Sequence, residues 1–472
     1  MSNSNKATQF DRTIVEGPIL KAVWKLAWPT MLQNMIAGLQ GIVDHTMVGH
    51  LVGFNGNAAI GVSWQIFLVV VVFISSLYSG MGVLVARFAG AGDVEKVNRV
   101  VYQSFLTSVI ISCGILAPAG YFLTPKLLDI VKAAPAVKAE ALPYLRIMFV
   151  FSVGKLVFFM LGGALRTAGD AKTPLRLGVV MTILNLIANL ILIPIYGTTG
   201  AAIGTVFATT SIAIVSIYWL FSGKLVVRFP KNMSLLPDLQ VLNKLIKFGL
   251  PTGFQGIMVN IGGVLLLRFV GSLQHSAEAQ AAYTVGYTQL FSLITWTSVG
   301  LMGATAAVAG QNLGAGQPER SSRTPIDAAK IGLSVAATIG LLFYTIPQQL
   351  LAIFGMSEAT VLAIGTDLLQ YLAFSGLFIT VALAFTGGLQ GTGDTRSPMY
   401  ISLIAQIAVP IGICLWLQTY STLEAAGIWT AILCGHFTRC TLSFLRFKQG
   451  KWQHIHVDLS DQPKGVKARP TG

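Results

Sequence analysis

The sequence predicts an all-α integral membrane protein, with twelve transmembrane helices arranged as two parallel six-helix repeats around a central cleft. Three observations lead to this fold class. The composition is typical of a protein surrounded by lipid, the apolar segments are long enough to span a bilayer, and several motifs occur twice at a constant spacing.

The chain has 472 residues, of which 54% are hydrophobic and 11% charged, whereas soluble proteins contain about 25% charged residues. Twelve apolar runs each have about the length that crosses a bilayer as a helix. They cover residues 19–48, 57–88, 99–123, 140–165, 174–196, 200–222, 243–270, 279–310, 325–346, 360–389, 398–418 and 425–446. The segments between them are too short to form a catalytic domain outside the membrane, so we expect no enzyme.

Two stretches of the chain are near copies of each other. Residues 163–174 read GALRTAGDAKTP, and residues 387–398 read GGLQGTGDTRSP, so that each Gly-Asp pair is 224 residues from its counterpart. Residues 90–99 and 314–323 repeat at the same spacing. In both copies of the first motif, Gly-Asp is expected to end one helix and the proline to open the next.

The repeat divides the chain into segments. Because each half contains an even number of helices, both halves enter the membrane from the same face and are parallel. The predicted segments are a cytoplasmic N-terminal segment (1–17), an N-terminal six-helix bundle (18–223), a cytoplasmic linker (224–242), a C-terminal six-helix bundle (243–447) and a cytoplasmic basic tail (448–472). Pro29 and Pro251 interrupt the first helix of each half and are hinge candidates, although each proline could equally cause a static kink.

The net charge of +14 does not indicate nucleic-acid binding, because most Lys and Arg residues lie in segments predicted on one face of the membrane. Arg166, Lys172 and Arg176 form one such cluster, and Lys6 and Arg12 belong to another. An excess of Lys and Arg marks cytoplasmic loops, so both termini are predicted to be cytoplasmic.

Asp44 is an acid inside the first predicted membrane helix. An acid there costs about 2.5–3.5 kcal/mol and usually faces a cavity or a partner. Because burial favours the protonated carboxyl group, Asp44 is suited to bind and release a proton, unless it lies close enough to the surface to be solvated. Arg146 and Lys155 on the fourth helix are candidate partners of the ionised carboxylate. Lys155 could instead bind an anionic substrate, and either cation could belong to a purely structural pair.

Five stretches resemble the multidrug and toxic compound extrusion (MATE) family. They are the two Gly-Asp loops, GPILKAVWKLAWP at 17–29, GQNLGAGQPER at 310–320, and VDHTMVGHL at 43–51, which is most similar to the branch of the DNA-damage-inducible protein F. The resemblance covers about residues 18–447. It implies a multi-pass antiporter of the bacterial inner membrane, which moves a proton or a sodium ion inward and an organic compound outward.

The resemblance also implies a cation-coupling site in the first half. Its residues are Asp44, Asn185, Asn189 and Thr205, and the two asparagines lie one turn apart on one helix face. The family has an aspartate where this chain has Asn189. The loss of one carboxylate favours protons over sodium, although the asparagines could also serve only interhelical packing.

Amide and aromatic side chains are expected to line the cleft, because they suit flat cationic or amphiphilic compounds. The candidates are Gln33, Asn34, Gln40, Lys155, Gln255, Asn260, Tyr283, Tyr287 and Trp296. We expect a monomer without cofactor or structural metal, whose partners are small organic substrates and membrane lipids. An alternative is a flippase of the same superfamily for lipid-linked oligosaccharides or lipids. A flippase for lipid-linked oligosaccharides should have a strongly cationic cleft.

Overall fold

The structure, a computed structural model, describes residues 10–229 and 234–459, except for the side chain of residue 69. Regular structure in these two ranges is entirely helical. The beginning of the predicted N-terminal segment, four residues of the predicted linker and the end of the predicted basic tail lie outside them, as do Lys6 and Lys231.

Twelve long helices coincide with the predicted apolar runs. The N-terminal half contains α1 (Ile19–Leu51), α2 (Phe54–Gly90), α3 (Val94–Ile130), α4 (Pro135–Val150 and Val153–Thr167), α5 (Lys172–Tyr196) and α6 (Thr198–Ser222). The C-terminal half contains α7 (Leu239–Val270), α8 (Ser276–Gly314), α9 (Pro318–Thr345), α10 (Ala359–Thr392), α11 (Arg396–Tyr420) and α12 (Ala425–Lys448). The predicted fold class is confirmed.

Within the described ranges, nine of these helices are long and apolar enough to cross a membrane, and the two parts of α4 form a tenth span with a bend of 53°. Helices α1 and α12 complete the twelve and contain more polar sequence, including Asp44 and Arg439. The bend in α4 lies beside a π-helical turn of α3, where the hydroxyl groups of Ser112 and Ser152 are 2.7 Å apart. The prolines Pro29 and Pro251 lie buried within continuous helices.

The two copies of the Gly-Asp motif adopt the same geometry. Gly169 and Gly393 both have φ of +103° after the last turn of a helix, a conformation that glycine adopts without strain. Asp170 accepts the backbone N–H of Thr173 (3.0 Å), and Asp394 accepts that of Ser397 (3.2 Å). In both halves, the motif therefore ends one helix, as predicted, and its aspartate binds the first turn of the next. That next helix begins at Lys172 or Arg396, two residues before the proline that was expected to open it.

The halves pack tightly near the predicted cytoplasmic ends of α2 and α8. A Cβ atom at Gly90 would overlap the carbonyl oxygen of Gln311, and a Cβ atom at Gly314 would overlap that of Arg87. Gly90 and Gly314 are equivalent in the repeat, so the crossing is pseudo-symmetric. Glycine on both helices allows this close backbone approach.

Candidate functional site

The structure brings together the four predicted coupling residues from three helices of the N-terminal half. Asn189 on α5 donates its Nδ2–H to Asp44 Oδ1 on α1 at 2.8 Å. One turn earlier on α5, Asn185 donates to Thr205 Oγ1 on α6 at 3.2 Å. Both asparagines are almost completely buried, and together they form a continuous polar network between the helices.

Two more side chains extend this network. Gln40, predicted as a cleft residue, donates to Asn185 Oδ1 at 3.0 Å, and Thr182 donates its hydroxyl to Gln40 Oε1 at 3.0 Å. The sequence analysis did not single out Thr182. Its position three residues before Asn185 places both side chains on one face of α5, which is the signal that could have identified it.

One atom of the network has no hydrogen-bond partner. Asn189 Oδ1 is buried and unpaired, and it lies directly against Gly204 of α6. Buried amide oxygens are nearly always hydrogen-bonded, so this atom is an unused acceptor about one side-chain rotation away from Asp44.

The two candidate cations on α4 differ in their surroundings. Lys155 Nζ lies over the rings of Trp64 (5.2 Å) and Phe67 (5.0 Å), and it forms no ion pair with Asp44 within 4.0 Å. Arg146 instead stacks on Tyr121, with 4.6 Å between guanidinium carbon and ring centre, and donates to the Tyr121 carbonyl oxygen. Neither candidate cation is therefore paired with Asp44 in this arrangement.

A cavity of about 140 Å³ lies inside the N-terminal half, next to this network. Several predicted cleft residues line it, namely Gln33, Asn34, Gln40 and Lys155. Arg166 and Phe159 also line it and extend to a second cavity.

The second cavity, of about 220 Å³, lies between the halves and is the central cleft. Much of its lining consists of residues that the internal repeat makes equivalent. These pairs are Tyr78 and Met302, Ser79 and Gly303, Gly82 and Ala306, Arg166 and Gln390, and Thr167 and Gly391. The central cleft therefore lies on the pseudo-symmetry axis that relates the halves.

Arg166 corrects the sequence analysis, which placed it in a cytoplasmic loop. It belongs to the last turn of α4, and its Nη1–H donates to Gln33 Oε1 at 3.2 Å. A helical side chain points toward the N-terminus of its own helix, so the guanidinium lies back over Gly162, within the protein.

Two further predicted cleft residues lie at the junction of the halves. Gln255 is buried and accepts a hydrogen bond from Gln390 at 2.9 Å. It therefore holds a residue that lines the cleft without lining the cleft itself. Trp296 packs against Gly38, and its carbonyl oxygen accepts the side-chain N–H of Asn34 at 3.2 Å.

Three predicted cleft residues lie elsewhere. Tyr283 and Tyr287 stack on each other at 5.1 Å in the core of the C-terminal half, where Tyr283 also stacks on Trp429. Asn260 is exposed and donates to the carbonyl oxygen of Gly256 on its own helix. None of the three lines either of the two cavities described above, and apolar periodicity does not distinguish a helix face toward the cleft from one toward the core or lipid.

The chain matches the sequence profile of the MatE family over residues 29–191 and 251–416, one match in each half. A probable multidrug resistance protein NorM of Thermotoga maritima is 25% identical, over 94% of this chain and 96% of its own. The multidrug export protein MepA of Staphylococcus aureus is 24% identical, over 84% and 87%. A solved structure of a multidrug resistance MATE family transporter in an outward-facing conformation has a TM-score of 0.86 at 21% identity, covering 95% of this chain and 98% of that one.

Proposed function

The chain belongs to the MatE family, and from this premise we propose that it is a secondary active antiporter, which exports drug-like organic amphiphiles in exchange for protons. The names of the S. aureus and T. maritima relatives support multidrug export. Under this proposal the protein resides in a bacterial inner membrane as a monomer with both termini in the cytoplasm, and it works by alternating access.

The observation that supports proton coupling best is the environment of Asp44. Its carboxylate accepts a hydrogen bond from a neutral amide, that of Asn189, and no Lys or Arg in the described ranges lies within 4.0 Å of it. A carboxylate that is not locked by a cation can lose its charge without leaving an uncompensated partner in contact. Asp44 is therefore suited to alternate between its ionised and protonated forms.

The oxygen atoms of the network favour a proton over sodium as the coupling ion. Asn185 Oδ1 already accepts hydrogen bonds from Gln40 and Asn189, and Thr205 Oγ1 accepts one from Asn185. Hard cations take about six or more oxygen ligands, whereas the free side-chain oxygens here belong mainly to Asp44 and Asn189. A proton needs one acceptor, so this set serves it better.

Asn189 supplies a means of responding to protonation. In the present arrangement it donates to the carboxylate, and its own oxygen is unpaired. A protonated Asp44 has an O–H to donate, and rotation of the Asn189 amide would present Oδ1 to that donor. The rotation would satisfy the buried oxygen, reverse the direction of the hydrogen bond between α1 and α5, and break the bond from Asn189 to Asn185.

Antiport requires that proton and substrate favour different conformations. Pro29 lies on α1 between the cytoplasmic end and Asp44, and Pro251 lies at the matching position of α7, so we propose that they are the hinges through which α1 and α7 bend. Opening toward the cytoplasm would have to separate α2 from α8 at Gly90 and Gly314.

The test is transport by the full-length protein in proteoliposomes under an imposed proton gradient or sodium gradient. Ethidium, norfloxacin and dansylglycine serve as cationic, zwitterionic and anionic probes. We expect proton-driven movement of at least one probe, which Asp44→Asn abolishes and Asp367→Asn, at an exposed acid of α10, leaves intact. Transport driven by sodium alone, or unaffected by Asp44→Asn, would contradict the proton mechanism.

The flippase alternative is not favoured. It needs a strongly cationic cleft, whereas Arg146 is held by Tyr121 and Arg268 is exposed at the end of α7. Among the described residues that line the central cleft, Arg166 is the one that has a positive charge.

A further inference from the structure

We infer that the exported compound has an acidic group, and that Arg166 binds this group in the central cleft. The inference rests on the proposed function, export through this cleft, and adds the chemical class of the substrate. That class is a small organic acid, with a carboxylate or sulfonate group on an apolar body.

Arg166 is a cation without an anion. Its one hydrogen bond within the described chain goes to the neutral oxygen of Gln33, and no Asp or Glu there lies within 4.0 Å. A guanidinium group has five N–H donors, so most of its donors remain available. A positive charge within a membrane protein is costly unless it is paired, and an anionic ligand would provide the missing partner.

The lining around Arg166 contains nothing that would compete for it. No Asp or Glu is among the described residues that line the central cleft or the adjoining cavity of the N-terminal half. The polar side chains that line the cleft with Arg166 include Ser75, Ser79 and Thr167, and the apolar ones include Phe159 and Met302. This combination suits an apolar body with one acidic group, since hydroxyls add hydrogen bonds and the rings and Met302 add apolar contact.

The second half of the molecule shows that the scaffold does not need this charge. Gln390, the equivalent of Arg166, donates to Gln255 Oε1 at 2.9 Å, just as Arg166 donates to Gln33 Oε1 at 3.2 Å. Gln33 and Gln255 are themselves matching residues of the two halves. A glutamine therefore makes the same contact without a charge, and the guanidinium adds a function beyond packing.

Arginine is also the cation best matched to an acid. Its planar group presents parallel N–H donors that bind both oxygens of a carboxylate. The same positive charge repels the flat organic cations that the amide and aromatic residues of the sequence predict. The charge of Arg166 therefore favours an anionic substrate, whereas the amide and aromatic side chains alone suggest a cationic one.

The test is fluorescence titration of the purified full-length protein with two probes that share one fluorophore, anionic dansylglycine and cationic monodansylcadaverine. We expect the native protein to prefer dansylglycine. Arg166→Gln should weaken dansylglycine binding at least about tenfold, the effect of losing a charge-assisted hydrogen bond. Arg166→Lys should restore part of it, and Arg176→Gln, which removes an exposed charge of α5, should change nothing.

The double variant Arg166→Gln, Gln390→Arg moves the charge across the pseudo-symmetry axis and should recover anion binding. It also tests whether Arg166→Gln acts only by disturbing the fold, because the double variant keeps that substitution and restores only the positive charge, at position 390. Thermal unfolding in detergent checks each variant.

Three results would overturn the inference. They are a preference of the native protein for monodansylcadaverine, dansylglycine binding that Arg166→Gln leaves within about twofold, and displacement of dansylglycine by short-chain phosphatidic acid but not by organic carboxylates. The first two leave proton-driven export intact and refute only the substrate class, and the third assigns the acid to a lipid. If neither probe binds and no probe is transported under either gradient, the proposed function fails with it.

Discussion

Arg166 and Gln390 occupy equivalent positions of the two halves and line the same cleft, yet only Arg166 is charged. Each donates to a matching glutamine on the first helix of its half, Gln33 and Gln255. The scaffold is thus pseudo-symmetric while its electrostatics are not. Asp44 and Lys155 add to this asymmetry, since both belong to the N-terminal half.

The charge of the substrate has an electrical consequence. Exchange of one proton for one organic cation moves no net charge, whereas exchange of one proton for one organic anion moves two. Each charge is worth about 2.3 kcal/mol per 100 mV. We therefore expect a membrane potential, negative on the side that the compound leaves, to accelerate dansylglycine export in proteoliposomes treated with valinomycin. Transport indifferent to the potential would contradict one-for-one exchange of an anion.

Replacement of Asn189 by aspartate should change the coupling ion. The new carboxylate would stand at the position that now donates to Asp44 at 2.8 Å, and two carboxylates form a better oxygen site for a hard cation. We expect Asn189→Asp to gain transport driven by a sodium gradient, measured with the same probes. Asn260→Asp, at an exposed position of α7, is the matched control and should gain none.

Substitution of Gly90 should disturb the close packing of α2 against α8 between the halves. A Cβ atom there meets the carbonyl oxygen of Gln311, and overpacking of this kind typically costs about 1–3 kcal/mol. We expect Gly90→Ala and its equivalent Gly314→Ala to lower the unfolding temperature in detergent. At Gly263 nothing lies within 4 Å of a Cβ atom, so Gly263→Ala should be neutral or slightly stabilising, because alanine favours helix. Equal effects at all three glycines would rule out the tight crossing.

The junction between the halves should lose stability in acid. Asp238 caps α7 by accepting the backbone N–H of Gln240 and Val241, and Arg99 of α3 donates to Asp238 Oδ2 at 2.8 Å. Burial raises the pKa of Asp238, but Arg99 and these backbone groups outweigh it and hold the pKa below its ordinary value of 3.8. A carboxyl whose pKa is lowered by folding stabilises the protein above its unfolded pKa, and this contribution disappears as the pH falls through the folded pKa.

We therefore expect Asp238→Asn to lower the unfolding temperature at neutral pH, and to show a smaller further decrease than the native protein between about pH 5 and pH 3. Thermal unfolding across this range measures both effects. Asp327→Asn, which removes an ion pair within the single helix α9, is the control, since it joins no helices together. An acid response of Asp238→Asn equal to that of the native protein would refute the assignment.

The sequence by itself determined the parts of this protein that depend on depth in the membrane and on local backbone chemistry. The twelve spans follow from run length and apolarity, and the helix ends at Gly169 and Gly393 follow from the need for positive φ. The proximity of Asp44, Asn185, Asn189 and Thr205 was anticipated through motifs and the one-turn spacing of the asparagines.

Only the tertiary structure decided which way each helix faces. Lipid and protein core are equally apolar, so hydropathy sets the depth of a residue but not its rotation about the helix axis. For this reason the sequence did not indicate that Tyr283 and Tyr287 pack in the core of the C-terminal half. Thr182 was missed, and Arg166 was assigned to a loop although its side chain returns to the cleft. The unpaired oxygen of Asn189 and the uncompensated charge of Arg166 exist only where packed helices exclude water and fix the distances between side chains.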